Sequence, residues 1–163
     1  MSRLESFIRR VTAQRDCLNM AKELVVDVPG PILELGLGNG RTYDHLRELF
    51  PDREIFVFDR RVAAHPDCIP DDTHMIVGDI VQTLQSAEER IGGKAALAHC
   101  DIGTGEKKKN AELISTIAPL VDALMLPGGI VCSDQEYSVA GWIPQPLPLG
   151  VSPGRYFINR LER

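Results

Sequence analysis

Nowhere in the 163 residues is there an apolar run long enough to span a bilayer, so no transmembrane helix is expected. The first residues, MSRLESFIRR, are amphipathic and charged, without the apolar core and small-residue cleavage site of a secretion signal. The four cysteines, Cys17, Cys68, Cys100 and Cys132, form no CxxC pair, which excludes a readable zinc or disulfide framework. Cys100 and Cys132 sit inside apolar runs and read as small buried thiols. An excess of positive charge is missing too. Eighteen Lys and Arg face 23 Asp and Glu, and the net charge of −5 is a poor start for binding a nucleic-acid backbone. Internal repeats and low-complexity segments are absent. What remains is 44% hydrophobic and 25% charged residues, ordinary globular composition that excludes disorder. A chain of this length can bury roughly 70% of its unfolded surface without a metal or disulfide staple. The expectation is one reduced, soluble, cytoplasmic domain over 1–163 that does not engage membrane or nucleic acid.

Apolar periodicity divides the chain into alternating elements. Leu4, Phe7, Ile8, Val11, Leu18, Ala21 and Val25 recur at helical spacing and predict an N-terminal helix over residues 3–26, within a segment 1–29. Pro29-Gly30-Pro31 stops it. Ile32 to Leu35 reads as a strand, Arg41 to Phe50 as a helix, and Ile55 to Phe58 as a second strand ending at Asp59. Pro66 and Pro70 leave room for only a short helix before a third strand, His74 to Val77. Val81, Leu84, Ala87 and Ile91 mark a helix that Gly92-Gly93 ends. Ala95 to Cys100 is a fourth strand. A longer helix over about 110–125 contains Pro119, which should kink it. Ile130 to Cys132 is a fifth strand, reached through the turn Leu126-Pro127-Gly128-Gly129. In the tail, 135–163, the alternating Pro144, Pro146 and Pro148 suit an edge strand pairing through Ile143, Gln145 and Leu147. Gly150 to Gly154 would turn it back into Tyr156 to Asn159. The fold class is therefore α/β: a Rossmann-like, doubly wound, mostly parallel sheet in a three-layer sandwich, closed by a short antiparallel hairpin.

Asp59, Asp79, Asp101 and Asp134 fall at or just past the carboxyl ends of four strands, and Glu34 lies late in the first. Ligands bind at that edge in open α/β sheets. Helix capping would explain one or two of these acids, but not the glycine cluster Gly36-Leu37-Gly38-Asn39-Gly40 as well. Its spacing is GxGxG, where a dinucleotide fingerprint would place its third glycine at position 41, which here is Arg41. No lysine follows, so a P-loop is excluded.

Glu34 to Gly40, ELGLGNG, resembles the first motif of the class I S-adenosylmethionine-dependent methyltransferases. Asp59 matches that family's ribose-binding acid, and Asp79 in VGDI matches the acid that contacts the adenine amino group. Asp101 matches the fourth-strand position at the methyl-transfer centre, and LPGGIVCSD resembles the run into the fifth strand. The matches fall in order over 31–134. The resemblance implies S-adenosylmethionine as cofactor, bound by Glu34 (methionine ammonium, directly or through water), Gly36, Gly38, Gly40, Asp59, Arg60, Asp79, Ile80 and Asp101. A crevice rich in carboxylates suits a sulfonium and an ammonium better than a diphosphate.

Methyl transfer to a small-molecule acceptor is the function expected, with Asp101 and then His99 as catalytic candidates. For His99 a satisfied core histidine is the plainer alternative. Tyr43, Asp134 and Tyr137 could also reach the site, and Asp101 with Asp134 lacks a third ligand for a metal. The family's nucleic-acid members carry Asn/Asp-Pro-Pro-aromatic after the fourth strand, where this chain has Asp101-Ile102-Gly103-Thr104. Lys107-Lys108-Lys109 would favour an anionic acceptor if it formed a site; a solvated loop is the plainer alternative. The shortened tail implies an incompletely covered sheet and hence a homodimer or higher homo-oligomer. Two other readings stay open: a non-catalytic S-adenosylmethionine-binding module, and a nucleotide- or NAD-dependent enzyme.

Overall fold

In the computed structural model, which describes residues 2–162, helix α1 spans Arg3–Leu24. Ser2 caps it by accepting the Glu5 amide at 3.1 Å. Its buried stripe, Ala13, Gln14, Cys17, Leu18 and Ala21, starts only in the fourth turn. Leu4, Phe7 and Ile8, expected on that stripe, are exposed. Beyond its end, Arg53 reaches back to the carbonyls of Val25 and Val28 at 3.0 and 2.8 Å. Val25 is the C-cap of α1 and Val28 lies in the connection to the next strand, so the guanidinium ties that connection down.

Strands β1 (Ile32–Leu35), β2 (Ile55–Asp59), β3 (Met75–Val77), β4 (Ala95–Cys100) and β5 (Met125–Ser133) form the parallel part of a seven-stranded sheet. The spatial order is β3–β2–β1–β4–β5–β7–β6, so the strand order reverses between β1 and β4. In a doubly wound sheet that reversal opens the ligand crevice. Helices α1 and α2 (Arg41–Leu49) cover one face. Helices α3 (Ile80–Gln85), α4 (Ala87–Ile91) and α5 (Lys107–Leu124) cover the other. The expected three-layer α/β sandwich is present.

Local differences have local causes. The helix expected from Val81 to Ile91 is two helices, because the Ser86 hydroxyl bonds back to the Gln82 and Thr83 carbonyls and breaks the ladder there. Strand β5 begins at Met125 rather than Ile130. The segment read as a turn runs inside it, with a register shift between Ala95 and Leu97 that tolerates Pro127. The short helix after β2 is a single 3₁₀ turn at Pro66–Cys68.

A closing antiparallel hairpin is there, but its edge strand ends at Pro144, so Leu147 packs against the core instead of pairing, and the return strand starts at Phe157 rather than Tyr156. Strand β7 (Phe157–Leu161) pairs antiparallel with β5 and with the edge strand β6 (Trp142–Pro144). Residues 145–156 fold over the α1 side, where Leu147, Val151 and Tyr156 join the core. That excursion lies where the sequence left a sheet face open. Among the described residues no helix is long and apolar enough to cross a membrane.

Arg53→Ala should remove the bonds that hold the end of α1 to the start of β1. We expect a loss of about 1.5–3 kcal/mol in urea unfolding, the usual worth of hydrogen bonds from a charged group.

Candidate functional site

The glycine turn between β1 and α2 is held by Asp59. Its Oδ2 accepts the Leu37 and Gly38 amides at 2.9 and 3.1 Å, so the end of β2 fixes the loop after β1. The three glycines answer to different neighbours. A Cβ on Gly36 would lie 2.6 Å from the Asp101 carbonyl, and one on Gly40 would collide with Cys68 Cβ. Beside Gly38 there is nothing within 4 Å. Gly36 and Gly40 thus clear the protein's own chain, and Gly38 leaves open space.

A cavity of about 490 Å³ opens beside this turn, at the reversal between β1 and β4. Helix α1 lines it with Arg10, Gln14 and Arg15, α2 with Arg41, Thr42 and His45, and β4 with Asp101. Both signs of charge are present. Asp101 Oδ2 accepts from Gln14 Nε2 at 2.5 Å and pairs with Arg10 at 3.6 Å. The guanidinium groups of Arg10 and Arg41 lie 5.5 and 5.6 Å from the Phe7 ring centre, within cation–π range.

Under the turn lies a buried polar chain. Glu34 and His99 face each other in register on β1 and β4, both without any exposure. His99 Nδ1 bonds Glu34 Oε2 at 2.6 Å, the Thr42 hydroxyl donates to Oε1, and His99 Nε2 bonds the Tyr156 hydroxyl. Burial by itself pushes the His99 pKa down. The Glu34 charge and its hydrogen bond outweigh that, and the pKa is raised. Both carboxylate oxygens of Glu34 and both ring nitrogens of His99 are engaged inside the protein. Asp134, at the end of β5, is raised by burial and then by the Asp101 charge. Its Oδ1 is buried without a hydrogen-bond partner.

The remaining expected residues lie toward β2 and β3, outside this cavity. Arg60 is exposed. Asp79 caps α3, with Oδ1 accepting the Val81 and Gln82 amides at 3.0 and 3.2 Å. Ile80 packs into the core beneath α3. Lys107 to Lys109 form the exposed first turn of α5, where Lys109 pairs with Glu106 at 2.8 Å. Tyr43 is buried in the α1-side core. Among the described residues no group of three His, Cys, Asp or Glu side chains is arranged to hold a metal ion. Sequence reasoning missed Arg10, Gln14, Arg41 and Thr42. The four-residue spacing of Arg10 and Gln14 on one helix face was the signal available.

A family model described as S-adenosyl-L-methionine methyltransferase matches residues 1–161. The crystal structure of an S-adenosyl-L-methionine methyltransferase from Silicibacter pomeroyi DSS-3 is 43% identical, covers 99% of each chain and superposes with a TM-score of 0.92. A TDP-rhamnose 3'-O-methyltransferase of calicheamicin biosynthesis shares the fold at 20% identity, with TM-score 0.62 over 88% of this chain and 76% of its own. Human methyltransferase-like protein 13, solved with SAH, does so at 13% identity, with TM-score 0.54 over 97% and 80%. Among curated protein sequences there is no match.

Two outcomes are expected from this geometry. Gly36→Ala should destabilise more than Gly38→Ala in thermal unfolding, since it adds a backbone collision to the roughly 1–2 kcal/mol that a left-handed residue costs. His99 contributes stability through a raised pKa. That contribution is complete below about pH 6.5 and is lost as pH rises through the folded value. The wild-type melting temperature should therefore fall as pH rises above about 6.5, with a flatter profile for His99→Gln over the same rise.

Proposed function

The chain belongs to the S-adenosyl-L-methionine methyltransferase family, and from that premise we propose that it transfers the methyl group to a small-molecule acceptor, with the methionine end of the cofactor in the 490 Å³ cavity. One observation carries this reading: that cavity sets a carboxylate, Asp101, against the guanidinium groups of Arg10 and Arg41, beside a turn with open space at Gly38. An ammonium and a carboxylate on one carbon need such a pair. Asp101 takes the ammonium and the two arginines take the carboxylate. Glu34, with both oxygens occupied by Thr42 and His99, supports the turn from below.

The cofactor supplies a methyl group already activated on a sulfonium. The residues of this chain then chiefly bind and orient. Asp59 faces the ribose diol, and Asp79 keeps one oxygen free of its helix cap for the adenine amino group, with Arg60 and Ile80 flanking. Gln14 and Arg10 hold the Asp101 carboxyl in place, and Asp101 is the first candidate to receive a proton from the acceptor. His99 acts through Glu34, as a positioning residue.

The acceptor is small, as TDP-rhamnose is for one structural relative. The cations of the site serve the cofactor's own carboxylate, so the anionic acceptor considered for Lys107 to Lys109 is not required. A cytoplasmic homodimer belongs to the same reading. The exposed Leu4, Phe7 and Ile8 at the start of α1 are the apolar surface that a second copy would cover. A monomeric sedimentation profile at micromolar concentration would remove the dimer.

Calorimetric titration with S-adenosylmethionine, S-adenosylhomocysteine and NAD tests the site. Micromolar binding of the first two is expected, with a loss of at least tenfold in Asp59→Ala and in Asp101→Asn, as for deleted charged hydrogen bonds. Binding of NAD alone would sink the reading. Unchanged binding in Asp101→Asn would return the ammonium to Glu34.

A further inference from the structure

A second cavity, of about 420 Å³, opens on the carboxyl side of β5, between the loop after that strand and the closing hairpin. It begins beyond Asp134, the neighbour of Asp101 at the ends of adjacent strands. Its wall is aromatic. Tyr137 and Trp142 stack with ring centres 5.6 Å apart and planes 16° from parallel, and Phe157 is half-buried beside them. The indole is fixed in place, because its N–H donates to Asp122 at 2.7 Å.

Two polar groups of this wall are without a hydrogen-bond partner among the described residues, the buried Tyr137 hydroxyl and the Asn159 amide. Asn159 lines the cavity at 6% exposure, and among the described residues its side-chain amide makes no hydrogen bond. A buried hydroxyl such as that of Tyr137 is normally satisfied, so it and the Asn159 amide are both available to a polar substituent of a ligand. Lys and Arg are absent from the lining, and the ionised side chain at its rim is the exposed Glu136. An anion is therefore repelled here, whereas a flat apolar ring can pack against this fixed aromatic wall.

We propose that this cavity holds the methyl acceptor: an uncharged, planar aromatic molecule whose polar substituent hydrogen-bonds the Asn159 amide. The assignment rests on the cofactor reading above, in which the methionine end lies on the other side of the Asp101 and Asp134 strand ends. It replaces a generic small acceptor with a class. It also separates the two sites by charge, with cations in the first cavity and none in the second.

Trp142 is the sole tryptophan of the chain, so occupancy of this cavity reads directly in its fluorescence. Three probes, benzamide, benzoate and cyclohexanecarboxamide, are titrated with excitation at the red edge, where tyrosine does not absorb. Benzamide should change the emission saturably, and the charged and the non-planar probes should bind more weakly. Saturating S-adenosylhomocysteine should leave benzamide bound. Asn159→Leu should weaken benzamide by roughly three- to tenfold, the worth of one neutral hydrogen bond. If that variant does not fold, Phe157→Ala tests the same wall, and the three-probe comparison needs only the wild type.

The proposal is overturned if benzamide gives no saturable change, if benzoate binds as tightly, if S-adenosylhomocysteine displaces benzamide, or if the folded variants bind it unchanged. Calorimetry with S-adenosylmethionine on the same sample separates the two readings. Cofactor binding without a benzamide response removes only the acceptor class. Failure of cofactor binding removes the methyltransferase site and, with it, the acceptor assignment.

Discussion

A carboxylate and an imidazole, neither with any exposure, face each other across the two central strands, and the site is assembled round them. Removing both groups from water costs several kcal/mol per ion, which is recovered only when every lone pair and proton finds a partner. Glu34 and His99 meet that condition by recruiting Thr42 from α2 and Tyr156 from the chain before β7. Two strands, the start of α2 and the chain before β7 are thereby tied to one point beneath the glycine turn. Because the pair is satisfied internally, it braces the glycine turn through Thr42 at the start of α2.

That upper layer is organised by charge. Asp59 spends one oxygen on the amides of the turn, so the acid that ends β2 also shapes the loop that ends β1. Helix α1 contributes Arg10 and Gln14 to Asp101, and its far end is pinned by Arg53. In its first turns Leu4, Phe7 and Ile8 stay exposed, while Arg10 lines the cavity. On the other side of the Asp101 and Asp134 strand ends the lining changes to aromatic rings, an unpaired tyrosine hydroxyl and an unbonded amide. A zwitterionic ligand end and a flat neutral ring would thus be sorted by their surroundings.

Much of this was legible in the chain. The alternation of short apolar runs with 3.6-residue periods identified the five parallel strands, because strands buried on both faces read as continuous hydrophobic stretches. Pro144 marked an edge strand, since a missing donor is tolerated there, but Pro146 and Pro148 lie past its end. Harder to read were places where a side chain competes with the backbone or a neighbour overrides propensity. Ser86 splits a helix by bonding back to it. Met125 to Gly129 continue a strand despite proline and glycine, because β4 lies alongside and shifts register. Leu4, Phe7 and Ile8 fit a helical stripe, but no sheet lies beneath them.

The sequence by itself determined the order of elements, the glycine turn and the row of acids at one sheet edge, all of which follow from spacing within a few residues. Only the tertiary structure decided what each acid does. Glu34 and Asp101 look alike in the chain. One is closed off by His99, and the other opens to a cavity because Gln14, 87 positions earlier, and Arg10 reach it from α1. The reason is physical. Periodicity records which way a side chain points, whereas the availability of a carboxylate depends on which distant group has already bonded it, and that is settled only when the layers pack.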